Sequence, residues 1–312
     1  MLIAHVEQLG VWLIEGGLIR IAEVLTDLAR KRGVALHTGA EVASIVYRNG
    51  RAAGVRLASG ARFAADAVVF NGDPAALAAG WLGPEAMAAL PAGGIRDRSL
   101  SALTWSIYGE ARGFPLAHHT VFFSRDYARE FDEIFRREKL PEDPTIYVCA
   151  QDRDAAGSRR TRGPERLFLL VNAPARADTN SLGEAEVAAC ERRVMARLAR
   201  SGLTISAGPA ERIRTGPAEF AAMFPGTGGA LYGRSPHGWA SSFQRPGART
   251  KIKGLYLAGG ATHPGPGIPM AAISGRHAAS AALSDLASTG GWSPAAMPGG
   301  ISTRSATTDA TP

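Results

Sequence analysis

The residues best suited to hold a ligand lie near the end of the chain, in a stretch rich in glycine and proline. Leu255 to Ala258 predicts a short buried strand, and a helix begins near Ile268 after the intervening loop. Free backbone N–H groups and the positive end of the helix dipole converge at such a junction, so the pattern is typical of an anion-binding site. Four glycines let backbone approach a ligand without a Cβ in the way: Gly259, Gly260, Gly265 and Gly267. The alternative interpretation is an ordinary strand–loop–helix connection.

The sequence shows no other pattern that is typical of a catalytic or metal-binding site. It contains no catalytic triad, no paired carboxylate motif and no group of His and Cys with the spacing of metal ligands. We therefore predict no metal. Cys149 and Cys190 lie far apart, in an apolar strand and an Ala-rich helix, and are predicted to be reduced structural thiols and not a disulfide or redox pair.

Length and composition predict a folded protein with one large core or two smaller ones. The chain has 312 residues, of which 46% are hydrophobic and 20% charged. Its net charge of +7 comes from scattered Arg residues without a nucleic-acid-binding module, so we predict no nucleic acid partner. The N-terminus lacks the layout of a signal peptide, which favours a cytoplasmic protein. Basic segments are attracted to anionic lipid, so peripheral contact with a membrane surface stays open.

The elements that must position the loop are predicted from periodicity and turn signals. Apolar residues with a period of 3.6 indicate a helix that ends at Gly33, and 34–37 is predicted as a strand. Asn49-Gly50 between two alternating runs is a strong hairpin signal, because both residues need a positive φ. A third strand follows, and then a buried strand over 64–70.

From about residue 74 to 240, Ala-rich helical stretches alternate with strands. Helices are predicted over 74–90, 184–201 and 217–223, and strands over 103–108, 120–124, 145–150 and 166–172. Antiparallel strands with helices packed to one side are typical of a cap inserted into another domain.

Residues 254–283 resemble the C-terminal flavin-binding signature of the carotenoid (phytoene) desaturase family, which belongs to the amine-oxidase-like FAD enzymes. The most specific part is the run Thr262-His263-Pro264-Gly265-Pro266-Gly267-Ile268-Pro269. Its continuation through Met270-Ala271-Ala272 is most similar to the 1-hydroxycarotenoid 3,4-desaturases. The similarity extends from Met1 to about Leu286.

The resemblance implies a mixed α/β fold, in which a partial two-dinucleotide-type FAD domain carries an inserted substrate domain of antiparallel sheet and helices. The implied segments are the end of a substrate-domain segment (1–14), an FAD-domain segment (15–73), a substrate-binding cap (74–243), a C-terminal FAD-binding segment (244–288) and a disordered tail (289–312).

The resemblance also implies an enzyme that introduces a C–C double bond into an acyclic 1-hydroxycarotenoid by hydride transfer to FAD. The implied FAD contacts are Val42, Gly259, Gly260, Thr262, Gly265, Gly267, Ile268, Pro269 and Met270. Without the resemblance, Val42 is a plain core valine. His263 is a weak candidate for a catalytic residue, and its alternative role is a loop histidine that fixes the turn. No residue can be named as the base that takes the second proton.

The implied substrate is a hydrophobic carotenoid, so the resemblance implies peripheral association with the inner (photosynthetic) membrane. An apolar tunnel for it would be lined by aromatic residues. The candidates are Trp105, Tyr108, Phe122, Phe123, Trp239 and Phe243, each of which is otherwise a core aromatic on a strand. His118, His119 and His237 are candidates to orient the 1-hydroxyl group, or else are exposed loop histidines.

Members of this family begin with a Rossmann βαβ unit that carries G-x-G-x-x-G, and no such motif stands at the start of this chain. We expect the chain to be the C-terminal portion of such an enzyme, with the missing N-terminal FAD-binding segment as a partner. With half of the cofactor site, it is expected to bind FAD weakly. The alternatives are a phytoene desaturase or another carotenoid oxidoreductase or isomerase of the same family, and an inactive fragment that acts only as a binding or interaction module.

Overall fold

The fold is mixed α/β, as predicted. The structure is a computed structural model that describes residues 10, 12, 14–91, 98–154, 156–159, 163–235 and 244–288. The helices are α1 (Ile19–Lys31), α2 (Pro74–Ala78), α3 (Tyr127–Phe135), α4 (Glu184–Arg200), α5 (Pro217–Met223) and α6 (Ile268–Ser288), with short 3-10 turns at Pro84–Ala89 and Pro209–Glu211. The strands are β1 (Val42–Arg48), β2 (Arg51–Leu57), β3 (Arg62–Ala64), β4 (Val68–Phe70), β5 (Ser101–Arg112), β6 (His119–Phe122), β7 (Ile146–Ala150), β8 (Glu165–Ala173), β9 (Thr204–Ser206), β10 (Arg212–Thr215) and β11 (Leu255–Leu257).

The largest sheet has six strands in the order β10-β5-β8-β7-β6, and β9 pairs with the end of β5. The long pair of β5 and β8 is antiparallel from Ser101 to Gly109. Alternate residues of β8 are fully buried, because one face of the sheet packs against a core while the other is partly open. The strands predicted between 103 and 172 are confirmed.

Helix α4 covers the core face of this sheet. Its buried residues are Val187, Cys190, Val194 and Leu198. The opposite face meets α3 at one end, where the Glu130 carboxylate accepts hydrogen bonds from Thr145 (2.6 Å) and Asn172 (3.3 Å). Asn172 points away from the core because its neighbour Val171 lies in it. Helices therefore lie on both sides of the sheet, and the prediction of helices on one side was wrong.

A smaller antiparallel sheet joins β1, β2 and β3. Asn49 and Gly50 connect β1 to β2 with φ values of 51° and 70°, which confirms the predicted hairpin. The predicted strand over 34–37 is absent. Instead, the Val34 N–H donates to the Ala29 carbonyl (3.0 Å) and completes the end of α1.

The third sheet is the parallel pair of β4 and β11, with Val68 opposite Leu255 and Phe70 opposite Leu257. Strand β11 is fully buried. Strand β4 is shorter than predicted, and Val69 is 48% exposed, so the prediction of a buried strand over 64–70 was wrong in extent and burial.

Both cysteines are buried free thiols, as predicted. Burial raises the pKa of Cys190 to about 11, against the opposing effect of Arg193. None of the helices in the described part of the chain has the length and apolar character needed to cross a membrane.

Candidate functional site

The two parallel strands β4 and β11 end at the same edge, which is where open α/β sheets bind ligands. Asn71 follows β4, and Gly259 follows β11. The Ala258 N–H donates to the Phe70 carbonyl (3.0 Å) and extends the pairing to this edge. Gly259 has a φ of 117°, and a Cβ there would lie 2.7 Å from the Asn71 side-chain oxygen. Only glycine fits this approach of the two strand ends.

The glycine loop, residues 259–267, is tied to the elements around it by its own backbone. The Gly259 N–H donates to the hydroxyl of Ser274, a buried residue of α6 (3.1 Å). The Thr262 N–H donates to the Gly259 carbonyl (3.1 Å), and the His263 N–H donates to the Pro246 carbonyl (2.9 Å). The loop is therefore positioned by hydrogen bonds at its start and centre.

Arg245 also fixes the glycine loop through a hydrogen bond. Arg245 is 8% exposed, and its guanidinium donates to the carbonyls of Tyr232 (2.9 Å), Arg234 (2.9 Å) and Gly260 (3.3 Å). Burial lowers the pKa of Arg245, while the charge of Asp73 acts in the opposite direction. Sequence reasoning missed this residue, because one arginine among 35 Lys and Arg residues carries no pattern of its own.

Asp73 is a carboxyl group at the same edge that sequence reasoning also left without a role. It precedes α2 and accepts the Ala75 N–H (2.8 Å) as the helix cap. Burial raises the pKa of Asp73, while the Ala75 N–H and the charges of Arg98 and Arg245 act against that shift. A carboxyl group with a raised pKa beside a ligand crevice is a candidate to hold a proton.

The loop fits the polar part of a nucleotide-type cofactor. The Thr262 hydroxyl is fully buried and has no hydrogen-bond partner, although buried hydroxyls are normally satisfied. The first N–H groups of α6, those of Ile268 and Met270, have no acceptor within the helix, and Pro269 has no N–H to satisfy. A Cβ added at Gly267 would meet nothing within 4 Å, so the approach to the helix start is open.

The side chains of two other residues of the predicted cofactor and catalytic set are exposed. His263 is exposed, and its ring stacks on that of His277 with centroids 6.4 Å apart. Val42 begins β1 in the three-stranded sheet and is 37% exposed. The structure thus groups the glycines, Thr262 and the start of α6, and leaves Val42 in a separate sheet.

The predicted substrate residues divide between the two faces of the six-stranded sheet. Trp105 and Phe122 belong to the core that packs against α4. Tyr108 lies on the opposite side and is 52% exposed, and Phe123 is 66% exposed. Trp239 and Phe243 lie outside the described residues, as does His237. Of the described candidates, the structure brings Trp105 and Phe122 together and separates both from Tyr108.

A cavity of 490 Å³ lies near the ends of β5 and β8. Three arginines contribute to its lining, Arg98, Arg176 and Arg234, together with Glu138. Its walls combine these charged groups with apolar side chains such as Ile134 and Phe135, unlike the apolar tunnel expected for a carotenoid.

The parallel strand ends, the glycine loop and the start of α6 form the candidate site at this edge, and the comparisons show the family to which the chain belongs. The chain belongs to the flavin containing amine oxidoreductase family, which matches residues 3–283. This family implies a flavin cofactor.

The similar proteins have more specific names than the family does. The chain is 50% identical to a hydroxyneurosporene desaturase of Rubrivivax gelatinosus over 99% of this chain and 58% of that protein. It is 49% identical to a hydroxyneurosporene desaturase of Cereibacter sphaeroides (92% and 57%) and 34% identical to a zeta-carotene-forming phytoene desaturase of Myxococcus xanthus (86% and 52%). The predicted resemblance to carotenoid desaturases is confirmed, and the chain spans little more than half the length of these relatives.

Proposed function

We propose that this chain supplies the C-terminal half of the cofactor site and the substrate-binding cap of an FAD-dependent carotenoid desaturase. The reaction is the introduction of a C–C double bond into an acyclic 1-hydroxycarotenoid. The observation that carries the proposal is the buried, unpartnered Thr262 hydroxyl in the glycine loop that leads into α6. The names of the two relatives near 50% identity support the choice of substrate.

The residues that would hold FAD are those of the glycine loop and the first turn of α6. A bound flavin supplies the hydride acceptor that side chains cannot provide for an unactivated C–C bond. Thr262 donates or accepts a hydrogen bond through its hydroxyl, and Ile268 and Met270 donate through their backbone N–H groups. Arg245 positions the loop through the Gly260 carbonyl. We assign the Asp73 carboxylate as the candidate acceptor of the second proton, because burial raises its pKa and so makes the carboxylate a stronger base.

The open face of the six-stranded sheet is the proposed surface for the apolar polyene. We use this name for the face that carries Tyr108, Tyr147, Phe168 and Leu170, opposite the core face. Tyr108 is exposed, and the other three side chains are half-buried. A long hydrocarbon gains most by covering partly exposed aromatic and aliphatic side chains. Because such a substrate dissolves in lipid, we place the protein peripherally at the inner (photosynthetic) membrane.

The flavin part of the proposal is tested with Thr262→Val, which keeps the shape of the side chain and removes its hydroxyl. One lost hydrogen bond of about 0.5–1.5 kcal/mol weakens FAD binding about two- to tenfold in a fluorescence titration. The unfolding midpoint in urea is expected to stay level or rise, because an unpartnered buried hydroxyl is removed. Thr262→Ser is the matched control and keeps the wild-type affinity. Equal FAD affinity in all three proteins would contradict the assigned contact.

The substrate part is tested with 1-hydroxyneurosporene and phytoene in detergent, using this chain alone and combined with the G-x-G-x-x-G segment of a carotenoid desaturase. We expect desaturation of the 1-hydroxy substrate by the combined protein. Turnover of phytoene alone would favour the phytoene desaturase alternative. Normal FAD binding without turnover of either substrate would favour the inactive binding module.

A further inference from the structure

Three metal-ligating side chains meet at the edge of the open face, away from the glycine loop. One ring nitrogen each of His118 and His119 and the Sγ of Cys149 lie within 4.8 Å of one another. His119 and Cys149 are direct cross-strand partners of β6 and β7, so both side chains point to the same face. The Cys149 Sγ lies 3.7 Å from Nε2 of His118. We call these three residues the donor cluster.

The ring of His118 is oriented by a second contact. Its Nδ1 lies 2.6 Å from the Arg153 carbonyl oxygen, which can only accept, so Nδ1 carries the proton and Nε2 keeps a free lone pair toward Cys149. Arg153 is itself held by the fully buried Glu165, at 2.7 and 2.8 Å. A backbone carbonyl on the far nitrogen is the usual support of a metal-binding histidine.

The ring of His119 is supported in a similar way. Its Nδ1 lies 2.7 Å from the Tyr147 hydroxyl. Tyr147 precedes Cys149 by two residues on β7 and so lies on the same face. Each histidine of the donor cluster therefore has a hydrogen-bond partner on Nδ1, and the Nε2 of His118 faces Cys149.

One separation within the donor cluster, that of Cys149 and His118, matches the geometry of a tetrahedral ion. Zinc lies about 2.3 Å from thiolate sulfur and about 2.0–2.1 Å from imidazole nitrogen, which places the two ligand atoms about 3.6 Å apart. The separation of Cys149 and His118 is 3.7 Å. His119 is exposed, so it can adjust its rotamer and leave the ion accessible from solvent.

We propose that His118, His119 and Cys149 form a binding site for a thiophilic transition metal ion of the Zn²⁺ class, with the fourth coordination position open to water or a small ligand. Binding releases the Cys149 thiol proton to solvent. The proposal does not depend on the flavin site. Sequence spacing predicted no metal, because residues 118 and 149 become neighbours only through the register of β6 and β7.

The test uses Co²⁺ as a spectroscopic probe on the metal-free full chain, followed by competition with Zn²⁺. We expect one ion per chain and a thiolate-to-cobalt charge-transfer band in the near ultraviolet. Cys149→Ala is expected to abolish the band, whereas Cys190→Ala, the matched change at the other buried thiol, keeps it. A band that persists in Cys149→Ala, or no band in the wild type, would overturn the site.

Exposed histidines provide a test that does not disturb the core. His119→Gln is expected to weaken Zn²⁺ binding at least about tenfold, and Tyr147→Phe about tenfold through the orientation of His119. His37→Gln is the matched control, because His37 is an exposed histidine outside the donor cluster. Equal Zn²⁺ affinity of the wild type and His119→Gln would show that the three residues are only neighbours.

Discussion

The six-stranded sheet and the elements around the glycine loop differ in what stabilises them. In the sheet, β5, β7 and β8 bury a continuous apolar core against α4. Around the loop, β11 contributes to two smaller clusters: its leucines pack with residues of β1, β2 and α2, and its other face packs on α6 in a cluster that consists mostly of alanine side chains. Helix α1 has no buried residue at all. The first region is therefore stabilised mainly by packing.

Polar contacts supplement the small alanine cluster between β11 and α6. Asp285 of α6 accepts hydrogen bonds from the Tyr256 hydroxyl (3.0 Å) and from Arg249 (2.9 Å). Ser274 and Arg245 fix the loop itself. Such contacts set positions well but add little stability each, since a typical hydrogen bond contributes about 0.5–1.5 kcal/mol. The comparison teaches that α6, whose start belongs to the proposed cofactor site, packs on β11 through small side chains and is positioned by polar contacts.

The largest expected effect comes from removing packing in the sheet. Leu169→Ala truncates a side chain with 0% exposure on β8 and should lower the free energy of unfolding by about 2–5 kcal/mol. Leu25→Ala makes the same change on α1, where the side chain is 58% exposed, and should stay within about 0.5 kcal/mol. Urea unfolding of both variants checks the difference. Equal losses of unfolding free energy would mean that α1 is packed against other elements. The contrast between α1 and the six-stranded sheet would then not hold.

A smaller and more local effect is expected from Arg245→Met, which keeps the length of the side chain and removes its donors. Hydrogen bonds to charged groups contribute about 1.5–3 kcal/mol, and three carbonyls lose their partner. Amide hydrogen exchange should therefore accelerate at Thr262 and His263 in the loop and stay unchanged in β8.

Arg166→Met is the control for this variant. Arg166 pairs with Asp152 on the surface, and its side chain is 64% exposed. Its loss should not change exchange in the loop. If Arg245→Met accelerated exchange in β8 as much as in the loop, the two regions would unfold as one unit.

The parts of the fold that sequence reasoning predicted are those that depend on local chemistry. Asn49-Gly50 needs positive φ values wherever it stands, so the hairpin was predictable. The strand, glycine loop and helix near residue 259 are also consecutive in the chain. Helix α3 was missed although a signal existed, since Asp126 caps it by accepting the Arg129 N–H (2.9 Å).

The parts that sequence reasoning could not predict depend on contacts between distant segments. Arg245 has its role because three carbonyls converge on it, and no spacing along the chain encodes that convergence. The split of Trp105 and Tyr108 between two faces follows from strand alternation once β5 is known to extend through both. Val34 to His37 had strand composition, but the end of α1 took its first N–H. Local composition cannot decide whether such a segment forms a strand or completes the helix before it.

The smallest effect is expected at the pair of Arg98 and Asp178, which links the two regions. Arg98 donates to both oxygens of Asp178 at 2.6 Å, and also to the Gly226 carbonyl (3.4 Å) in the segment that leads to the glycine loop. The hydrogen bonds from Arg98 hold the pKa of Asp178 below its usual range. A lowered carboxyl pKa gives stability that is present above the unfolded value of about 3.9 and is lost as the pH falls through the folded value.

Asp178→Asn should therefore be less stable than the wild type at neutral pH, and the two should converge as the pH falls through the lowered pKa of Asp178. The side chains are 30% and 34% exposed, so solvent screening limits the difference to about 1 kcal/mol or less. Urea midpoints over the acid range measure it, and Asp27→Asn on exposed α1 is the control with no expected change. A difference that persists at low pH would mean that the carboxylate charge is not what joins the sheet to the loop segment, and that packing alone connects them.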